Sequence, residues 1–166
     1  MRSDLAGPAL LLAGSAGLLA GAYGFEVIGG LVPCEMCWWQ RWALLAAAFF
    51  AFNALLLGWT ARFQAAARIS GWLALLAMAA NAGIGLFHAG VEYKWWQGLT
   101  RCAAPPLAGD TKSMLADILA QPLVRCDAVP WSMLGISMAG WNGLISLALT
   151  GAAAWLMLKT PAAPRR

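Results

Sequence analysis

The residues best suited to chemistry in this chain are its four cysteines, which fall into two pairs of different kinds. Cys34 and Cys37 form a C-x-x-C motif, whereas Cys102 and Cys126 lie far apart in the sequence. A C-x-x-C bridge closes a very small loop and adds little stability through chain entropy, so this spacing indicates redox or metal chemistry rather than a structural staple. A bond between Cys102 and Cys126, in contrast, could be purely structural.

Zinc is the competing use of these cysteines, because four thiolates can form a tetrahedral zinc site. Zinc motifs generally place their ligands as two close pairs. Cys102 and Cys126 are instead separated by Pro105, Pro106 and a segment with helical character. We therefore expect redox chemistry and no metal site.

The residues around the C-x-x-C motif strengthen the redox interpretation. Pro33 and the apolar run that follows predict a helix that begins here, with both sulfurs in its first turn. The N-terminal end of a helix stabilises anions, and so it raises the fraction of thiolate, the reactive form of cysteine. Cys37 and Arg41 have i, i+4 spacing, which places a guanidinium beside the sulfur on one helix face.

Arg41 has two possible roles, which its spacing alone does not separate. An arginine near the hydrocarbon of a bilayer is costly and marks a functional position by default. The ordinary alternative is a membrane anchor, in which Arg41 contacts lipid headgroups at an interface that neighbouring tryptophans mark. Those tryptophans are Trp38, Trp39 and Trp42.

The composition indicates that membrane helices position these residues. Of the 166 residues, 61% are hydrophobic and 11% are charged, so the chain lacks the polar surface of a water-soluble globule. Four apolar stretches are long enough to cross a bilayer as helices, and none alternates like a barrel strand. We predict an all-α membrane protein, a four-transmembrane-helix bundle that forms a single domain over residues 1–166. The predicted spans are residues 8–28, 38–59, 69–89 and 135–158.

The charged residues predict which side of the membrane each loop occupies. With four spans, six basic residues fall on one side of the membrane, where Asp4 is the only acid. An excess of basic residues identifies that side as the cytoplasm. Both termini are therefore expected there. These basic residues are Arg2, Arg62, Arg68, Lys159, Arg165 and Arg166. They form no stripe, so the net charge of +4 is a topology signal and no nucleic-acid partner is expected. The first stretch could also be a signal peptide, although it is longer than an ordinary signal core.

The two external loops, predicted at residues 29–37 and 90–134, differ greatly in length. The second loop is too long to be only a connector, so function is expected on this side. Within it, residues 110–120 are expected to form a short helix capped by Asp110 or Thr111. This helix could pack on the bundle, or it could lie on the membrane surface, and the sequence does not separate the two.

All four cysteines fall on the external side in this topology. An even number of cysteines in an oxidising compartment indicates disulfides. The expected pairs are Cys34 with Cys37 and Cys102 with Cys126.

His88 is the only histidine in the chain, and it is predicted at the external end of the third span. Its ordinary role there would be to cap the helix or to bond a neighbouring carbonyl. Glu92 has i, i+4 spacing from His88 and is expected to orient the ring.

Taken together, these motifs resemble the disulfide bond formation protein B (DsbB) family over nearly the whole chain. Four spans with this loop pattern, the C-x-x-C-x-x-x-R motif that ends at Arg41, and the distant cysteine pair carry the resemblance. Gln40 departs from it, because some members have an acid there, and no proton role is expected at this position. The other matching residues are His88-Ala89-Gly90-Val91-Glu92, Trp95-Trp96, Cys126-Asp127, Trp131, Gly135, Ser137-Met138-Ala139 and Trp141-Asn142.

The resemblance implies a relay of electrons from periplasmic thiols to a membrane quinone. A periplasmic thiol oxidase of thioredoxin fold (DsbA-like) would attack Cys102, and the released Cys126 would attack Cys34. Cys37 would then be freed as a thiolate that faces the quinone. The implied location is the bacterial inner membrane, as a multi-pass protein with its catalytic cysteines on the periplasmic side.

The resemblance also implies a quinone site formed by Arg41, His88 and Cys37, with ubiquinone favoured over menaquinone. The expected partners are the thiol oxidase, the quinone pool and the lipid bilayer. One alternative is a non-catalytic membrane scaffold with structural disulfides. Another is a related quinone-linked enzyme that serves a different, dedicated partner.

Overall fold

The computed structural model describes residues 5–99 and 125–159, and four long helices make up most of this part of the chain. All four are long and apolar enough to cross a membrane. They confirm the predicted all-α bundle of four membrane helices. In chain order they are α1 (Ala6–Val27), α2 (Glu35–Gly58), α3 (Gln64–Glu92) and α4 (Met138–Lys159).

The connections are short where the structure describes them. A 3₁₀ turn, Ala61–Phe63, links α2 to α3. A two-stranded antiparallel hairpin, β1 (Ser132–Met133) and β2 (Ile136–Ser137), precedes α4. The segment at residues 110–120 and Cys102 lie outside the described residues, so the expected short helix stays a prediction.

The hairpin before α4 was not predicted from the sequence, and the fourth span was expected to start at Gly135. In the structure Leu134 and Gly135 both have positive φ, at 54° and 76°. Two consecutive residues with positive φ are typical of the tight turn that joins hairpin strands. The turn residue Gly135 therefore precedes the helix, which begins at Met138.

The helices form a closed ring in the order α1, α2, α3 and α4, and α1 and α3 also contact each other across it. Their central contacts are made by small and aliphatic side chains, which allow the helices to approach closely. Many large apolar side chains, such as Phe49, Leu76 and Leu147, point outward and are exposed, as expected where lipid is the solvent. The buried core consists of Leu11, Leu44, Ala47, Ala51, Ala74, Met78 and Ala153.

Helices α3 and α4 cross in close contact at Gly85 and Gly143. A Cβ atom on Gly85 would lie 2.8 Å from the backbone N and Cα of Gly143. Contact at this distance is a steric clash with backbone, which cannot move away as a side chain can. The crossing therefore requires glycine, and it fixes the two helices against each other.

Gly85→Ala is expected to lower the free energy of unfolding in detergent by about 1 to 3 kcal/mol, because it overpacks this crossing. Gly83→Ala is the matched control, since a Cβ on Gly83 of the same helix meets nothing within 4 Å. Thermal unfolding followed by circular dichroism measures both. Equal stability of the two variants would show that the α3–α4 contact is looser than the structure indicates.

Candidate thiol redox site

The C-x-x-C motif lies at the start of α2, as its sequence setting predicted. Cys34 is the N-cap residue, with extended backbone (φ −78°, ψ 175°), and its Sγ accepts a hydrogen bond from the backbone N–H of Cys37 at 3.3 Å. A side chain that accepts from a free N–H of the first turn stabilises the helix start. The motif therefore both begins the helix and positions the two sulfurs.

Cys34 and Cys37 form a hydrogen-bonded dithiol in this structure. The Cys34 thiol donates to Sγ of Cys37 at 3.0 Å, and both cysteines are free thiols. The expected Cys34–Cys37 disulfide stays a prediction, and the two sulfurs lie close together. Cys37 lies in the first turn of α2, where the N-terminal end of the helix stabilises negative charge on its sulfur.

Cys126 brings a third sulfur to the same place. Its side chain is 1% exposed, and it packs with Cys34 and Val91 in a small buried cluster. A hydrogen bond with Cys126, a second with Cys37, and burial together raise the pKa of Cys34 well above its ordinary value. Cys34 therefore keeps its proton and stands between the other two sulfurs. Cys102 lies outside the described residues, so its pairing with Cys126 stays a prediction.

Ionic contacts tie the segment that carries Cys126 to the end of α3. Lys94 donates to both the carboxylate and the backbone oxygen of Asp127 at 2.5 Å, and Arg125 donates to the same carboxylate at 2.8 Å. The Arg125 guanidinium and the Lys94 ammonium hold the pKa of Asp127 well below its usual range. Sequence reasoning missed this attachment, because residues 33 positions apart carry no local signal of contact.

His88 is buried beside the sulfurs, 2% exposed, on the last turns of α3. Its Nε2 lies 3.6 Å from Sγ of Cys34, and its Nδ1 lies 2.9 Å from the side-chain nitrogen of Gln40. The expected orienting residue Glu92 is farther, with 4.0 Å between its Oε1 and Nε2. Gln40 is therefore the closer orienting partner of the ring, and sequence reasoning had set it aside.

A polar network extends from Gln40 into the bundle. Asn142 donates to Oε1 of Gln40 at 2.5 Å, and Asn81 donates to Oδ1 of Asn142 at 3.0 Å. Asn81 also donates to Ser146 at 2.8 Å. These bonds join α2, α3 and α4, and they give partners to most of the buried amide groups, although Oδ1 of Asn81 has none among the described residues.

Arg41 points into the bundle and does not extend to the headgroups as a membrane anchor would. Its side chain is 5% exposed, and it forms an ion pair at 2.5 Å with Glu26 and a hydrogen bond at 3.2 Å with the carbonyl of Ala22. Its guanidinium carbon lies 4.5 Å from the centre of the Tyr23 ring and 5.0 Å from that of Trp38. Glu26 is a partner that the sequence did not reveal.

These residues border a cavity of about 750 Å³ at the end of the bundle that carries the C-x-x-C motif. Its volume is in the range of small-molecule sites, and its walls are mostly apolar with a few convergent polar groups. Gly17 and Gly21 of α1 leave one wall open, since a Cβ on either would meet nothing within 4 Å. The polar lining includes Cys37, Gln40, Arg41, His88 and Glu92.

Cys34, Cys37 and His88 are also a donor set that a soft metal could use, because their ligand atoms lie within 4.8 Å of one another. Zinc–thiolate bonds of about 2.3 Å would hold two sulfurs about 3.8 Å apart in a tetrahedral site. The observed sulfur separation is 3.0 Å. The sulfurs are thus spaced for a shared proton, and metal binding would require them to move apart.

Four apolar helices that bury three neighbouring cysteine sulfurs beside a ligand-sized cavity define a helical membrane protein built for thiol–disulfide chemistry. Comparison with known proteins gives the same class. The family profile described as "Disulfide bond formation protein DsbB" matches residues 6–156. The chain belongs to this family. It is accordingly a multi-pass disulfide bond formation protein of the bacterial inner membrane.

Curated relatives support the assignment over most of the chain. The protein named Disulfide bond formation protein B of Marinobacter nauticus is 32% identical over 152 residues, which cover 87% of this chain and 86% of that protein. The protein of the same name from Xanthomonas oryzae pv. oryzae is 31% identical over 131 residues, covering 76% of this chain and 74% of that protein. No solved structure matches the chain significantly.

Proposed function

We propose that this protein is a thiol:quinone oxidoreductase that reoxidises a periplasmic DsbA-like dithiol oxidase. The contact of Cys34 with both Cys37 and Cys126, beside a cavity that Arg41 borders, is the observation that carries the proposal. In this arrangement one sulfur can exchange partners between the other two. The cysteines would face the periplasm, and both termini the cytoplasm.

The chain's own sulfurs can perform the exchange with little movement. In the oxidised protein, attack of a partner thiolate on Cys102 would break the Cys102–Cys126 bond and release Cys126 as a thiolate. Because Cys126 contacts Cys34, it can attack that sulfur, forming Cys34–Cys126 and breaking Cys34–Cys37. Cys37 leaves as a thiolate, stabilised by its place in the first turn of α2.

The cavity fits the headgroup of a quinone in both shape and chemistry. A quinone ring is flat and apolar, with a carbonyl oxygen on each of two opposite sides. The apolar walls of the cavity suit the ring, and Arg41 supplies hydrogen-bond donors to a carbonyl oxygen. A bound quinone would supply a two-electron, two-proton acceptor, so that one dithiol becomes one disulfide as one quinone becomes one quinol.

Arg41 and Cys37 would act together at this end of the cavity. They lie four residues apart on α2 and line the same space. Arg41 is held between two aromatic rings and Glu26, so its charge is fixed in position before a ligand arrives. A fixed cation near an oxygen that gains negative charge stabilises the reduced product without reorganisation.

The proposal is tested by anaerobic quinone reduction with purified protein in detergent, supplied with a reduced thioredoxin-fold dithiol. We expect about one quinone reduced per dithiol, because each couple transfers two electrons. Cys102→Ser should eliminate the reaction. Absence of reduction by the unmodified protein with any such dithiol would instead favour a scaffold whose disulfides are structural. Comparison of ubiquinone with menaquinone analogues would test the expected headgroup.

Filling the cavity is expected to raise the KM for quinone without a loss of fold. Gly21→Leu projects a side chain into the cavity, whereas Gly24→Leu, three residues along α1, does not border it. A Cβ on either residue meets nothing within 4 Å, so both variants should fold. We expect a KM at least about tenfold higher for Gly21→Leu, because loss of about 1.4 kcal/mol of binding corresponds to this factor. Equal KM values would place the quinone elsewhere.

A further inference from the structure

The buried amides and the histidine form a chain of hydrogen bonds whose donors all point toward the cysteines. Asn81 donates to Asn142 at 3.0 Å, Asn142 donates to Oε1 of Gln40 at 2.5 Å, and the nitrogen of Gln40 faces Nδ1 of His88 at 2.9 Å. On the other side of the ring, Nε2 of His88 lies 3.6 Å from Sγ of Cys34. The chain therefore begins in the centre of the bundle and ends at the reacting sulfurs.

The orientation of the Gln40 amide decides the direction of this chain. Its nitrogen also faces the backbone carbonyl of Met36, at 3.4 Å, and a carbonyl oxygen can only accept. Its oxygen faces the amide nitrogen of Asn142, which can only donate. The Met36 carbonyl has no alternative orientation, so it requires that the Gln40 nitrogen, a donor, is the atom next to His88, and the Asn142 amide is oriented to match.

A donor next to Nδ1 leaves only one neutral form of the ring. Nδ1 of His88 must accept from Gln40, so the single proton of the neutral imidazole lies on Nε2. That proton is directed at the region of Cys34 and Cys126, and the backbone of Cys126 is a further hydrogen-bond partner of the ring.

We propose that Gln40 and Asn142 are positioning residues that hold His88 as the neutral Nε2–H tautomer, with its proton directed at Sγ of Cys34. The tautomer is a property of the fold alone. Its use in catalysis rests on the proposed thiol exchange. A neutral N–H donor stabilises the negative charge that is shared among sulfurs during exchange, yet it is a poor acid and leaves the thiolate reactive.

The same network resists a second proton on the ring. A proton on Nδ1 would face the NH₂ group of Gln40, two donors in contact. Reversal of the Gln40 amide would relieve this contact, but it would place Oε1 against the carbonyl of Met36 and the NH₂ group against that of Asn142. Each alternative leaves buried polar groups without partners, which is unfavourable.

Nuclear magnetic resonance of the imidazole nitrogens tests the tautomer directly, since the chain contains one histidine and its signals need no assignment. In ¹⁵N-histidine-labelled protein in detergent near neutral pH, we expect a bare nitrogen at Nδ1 and a protonated one at Nε2. Gln40→Glu replaces the donor with an acceptor and should move a proton to Nδ1. Gln97→Glu, an exposed position, should leave the signals unchanged.

The outcomes separate this proposal from the proposed function. A protonated Nδ1 in the unmodified protein, or signals that Gln40→Glu does not alter, would overturn it whether or not the protein reduces quinone. If Gln40→Glu does not fold, Gln40→Met keeps the side-chain volume and removes the donor, and a mixture of tautomers is then expected. Asn142→Leu should also give a mixture, because it frees the Gln40 amide to reverse.

Single-turnover exchange provides the catalytic readout. Oxidised protein is mixed with excess reduced thioredoxin-fold dithiol without quinone, and the appearance of the Cys34–Cys126 bond is followed by acid quenching and peptide mapping. We expect Gln40→Met to slow this step about tenfold, the effect of losing one hydrogen bond to a charged group. Gln97→Glu should react at the unmodified rate. An unchanged rate in a variant with mixed tautomers would remove the catalytic part of the proposal and leave the structural part.

Discussion

Replacing Cys37 with serine is expected to stop quinone reduction, with a loss of about a thousandfold or more, as is usual when a reacting nucleophile is removed. Cys37 receives the hydrogen bond from Cys34 and borders the cavity, so it is the sulfur through which electrons would leave the chain. Serine keeps the size of the side chain but cannot form the bond to Cys34. Anaerobic quinone reduction with a reduced thioredoxin-fold dithiol measures the loss.

The same variant should accumulate a bond between Cys34 and Cys126. In Cys37→Ser the Cys34 thiol has no partner within its motif, and it contacts Cys126. Attack of Cys34 on a Cys102–Cys126 bond would form Cys34–Cys126 and release Cys102. Peptide mapping without reductant would show the new bond, and the double variant Cys34→Ser/Cys37→Ser should lack it. Quinone reduction that persists in Cys37→Ser would contradict the assigned order of the sulfurs.

Arg41→Met is expected to raise the KM for quinone by about 10- to 100-fold, since a hydrogen bond to a charged group contributes about 1.5 to 3 kcal/mol. Exchange at Cys102 with the soluble partner should change much less, because that cysteine lies in a different part of the sequence from the cavity-lining residues. Steady-state kinetics with quinone and dithiol varied in turn separate the two steps. A changed dithiol KM with an unchanged quinone KM would count against the site.

Two further variants distinguish a role at the ligand from a role in folding. Arg41→Met also leaves Glu26 without its cation, so some stability is lost. The comparison variant Glu26→Gln breaks the same ion pair but keeps Arg41. If Arg41 acts on the ligand, Glu26→Gln should lose stability but keep most of its quinone affinity. Arg62→Met, at an exposed arginine between α2 and α3, is the control for the loss of a positive charge.

The sequence was sufficient to predict the helices, because their cause is local. A bilayer requires a run of about 20 apolar residues for each span, and such runs are visible without knowledge of any tertiary contact. The helix start at Cys34 was equally readable from Pro33 and the apolar residues that follow. The positions of the C-x-x-C sulfurs therefore followed from the chain alone.

The hydrogen-bond and ion-pair partners of the functional side chains could not be predicted from the sequence, because these contacts depend on how the helices pack. Gln40 looked like a neutral replacement for an acid, yet it donates to His88 across the α2–α3 interface. Glu26 carries no local signal of a partner, yet it pairs with Arg41. No local periodicity records contacts between residues so distant in the chain.

The glycines of α1 show that one sequence pattern can have two structural uses. Small residues at every fourth position are typical of helices in close contact. Here Gly17 and Gly21 border the cavity instead, where the absence of a side chain leaves space. The close crossing is made by Gly85 and Gly143 on other helices, and a single sequence pattern cannot distinguish these two uses of glycine.

The three sulfurs of the site lie on backbone segments that are held in place in different ways. Cys34 and Cys37 are part of a packed helix start, whereas the segment of Cys126 is attached through the exposed Lys94 and the partly exposed Asp127. Exposed ion pairs contribute little and are screened by salt, so this ionic part of the attachment can open at low cost, and burial of the Cys126 side chain supplies the rest. A sulfur that must leave one disulfide partner and reach another needs a segment that can move. The sulfur that it attacks needs a fixed position.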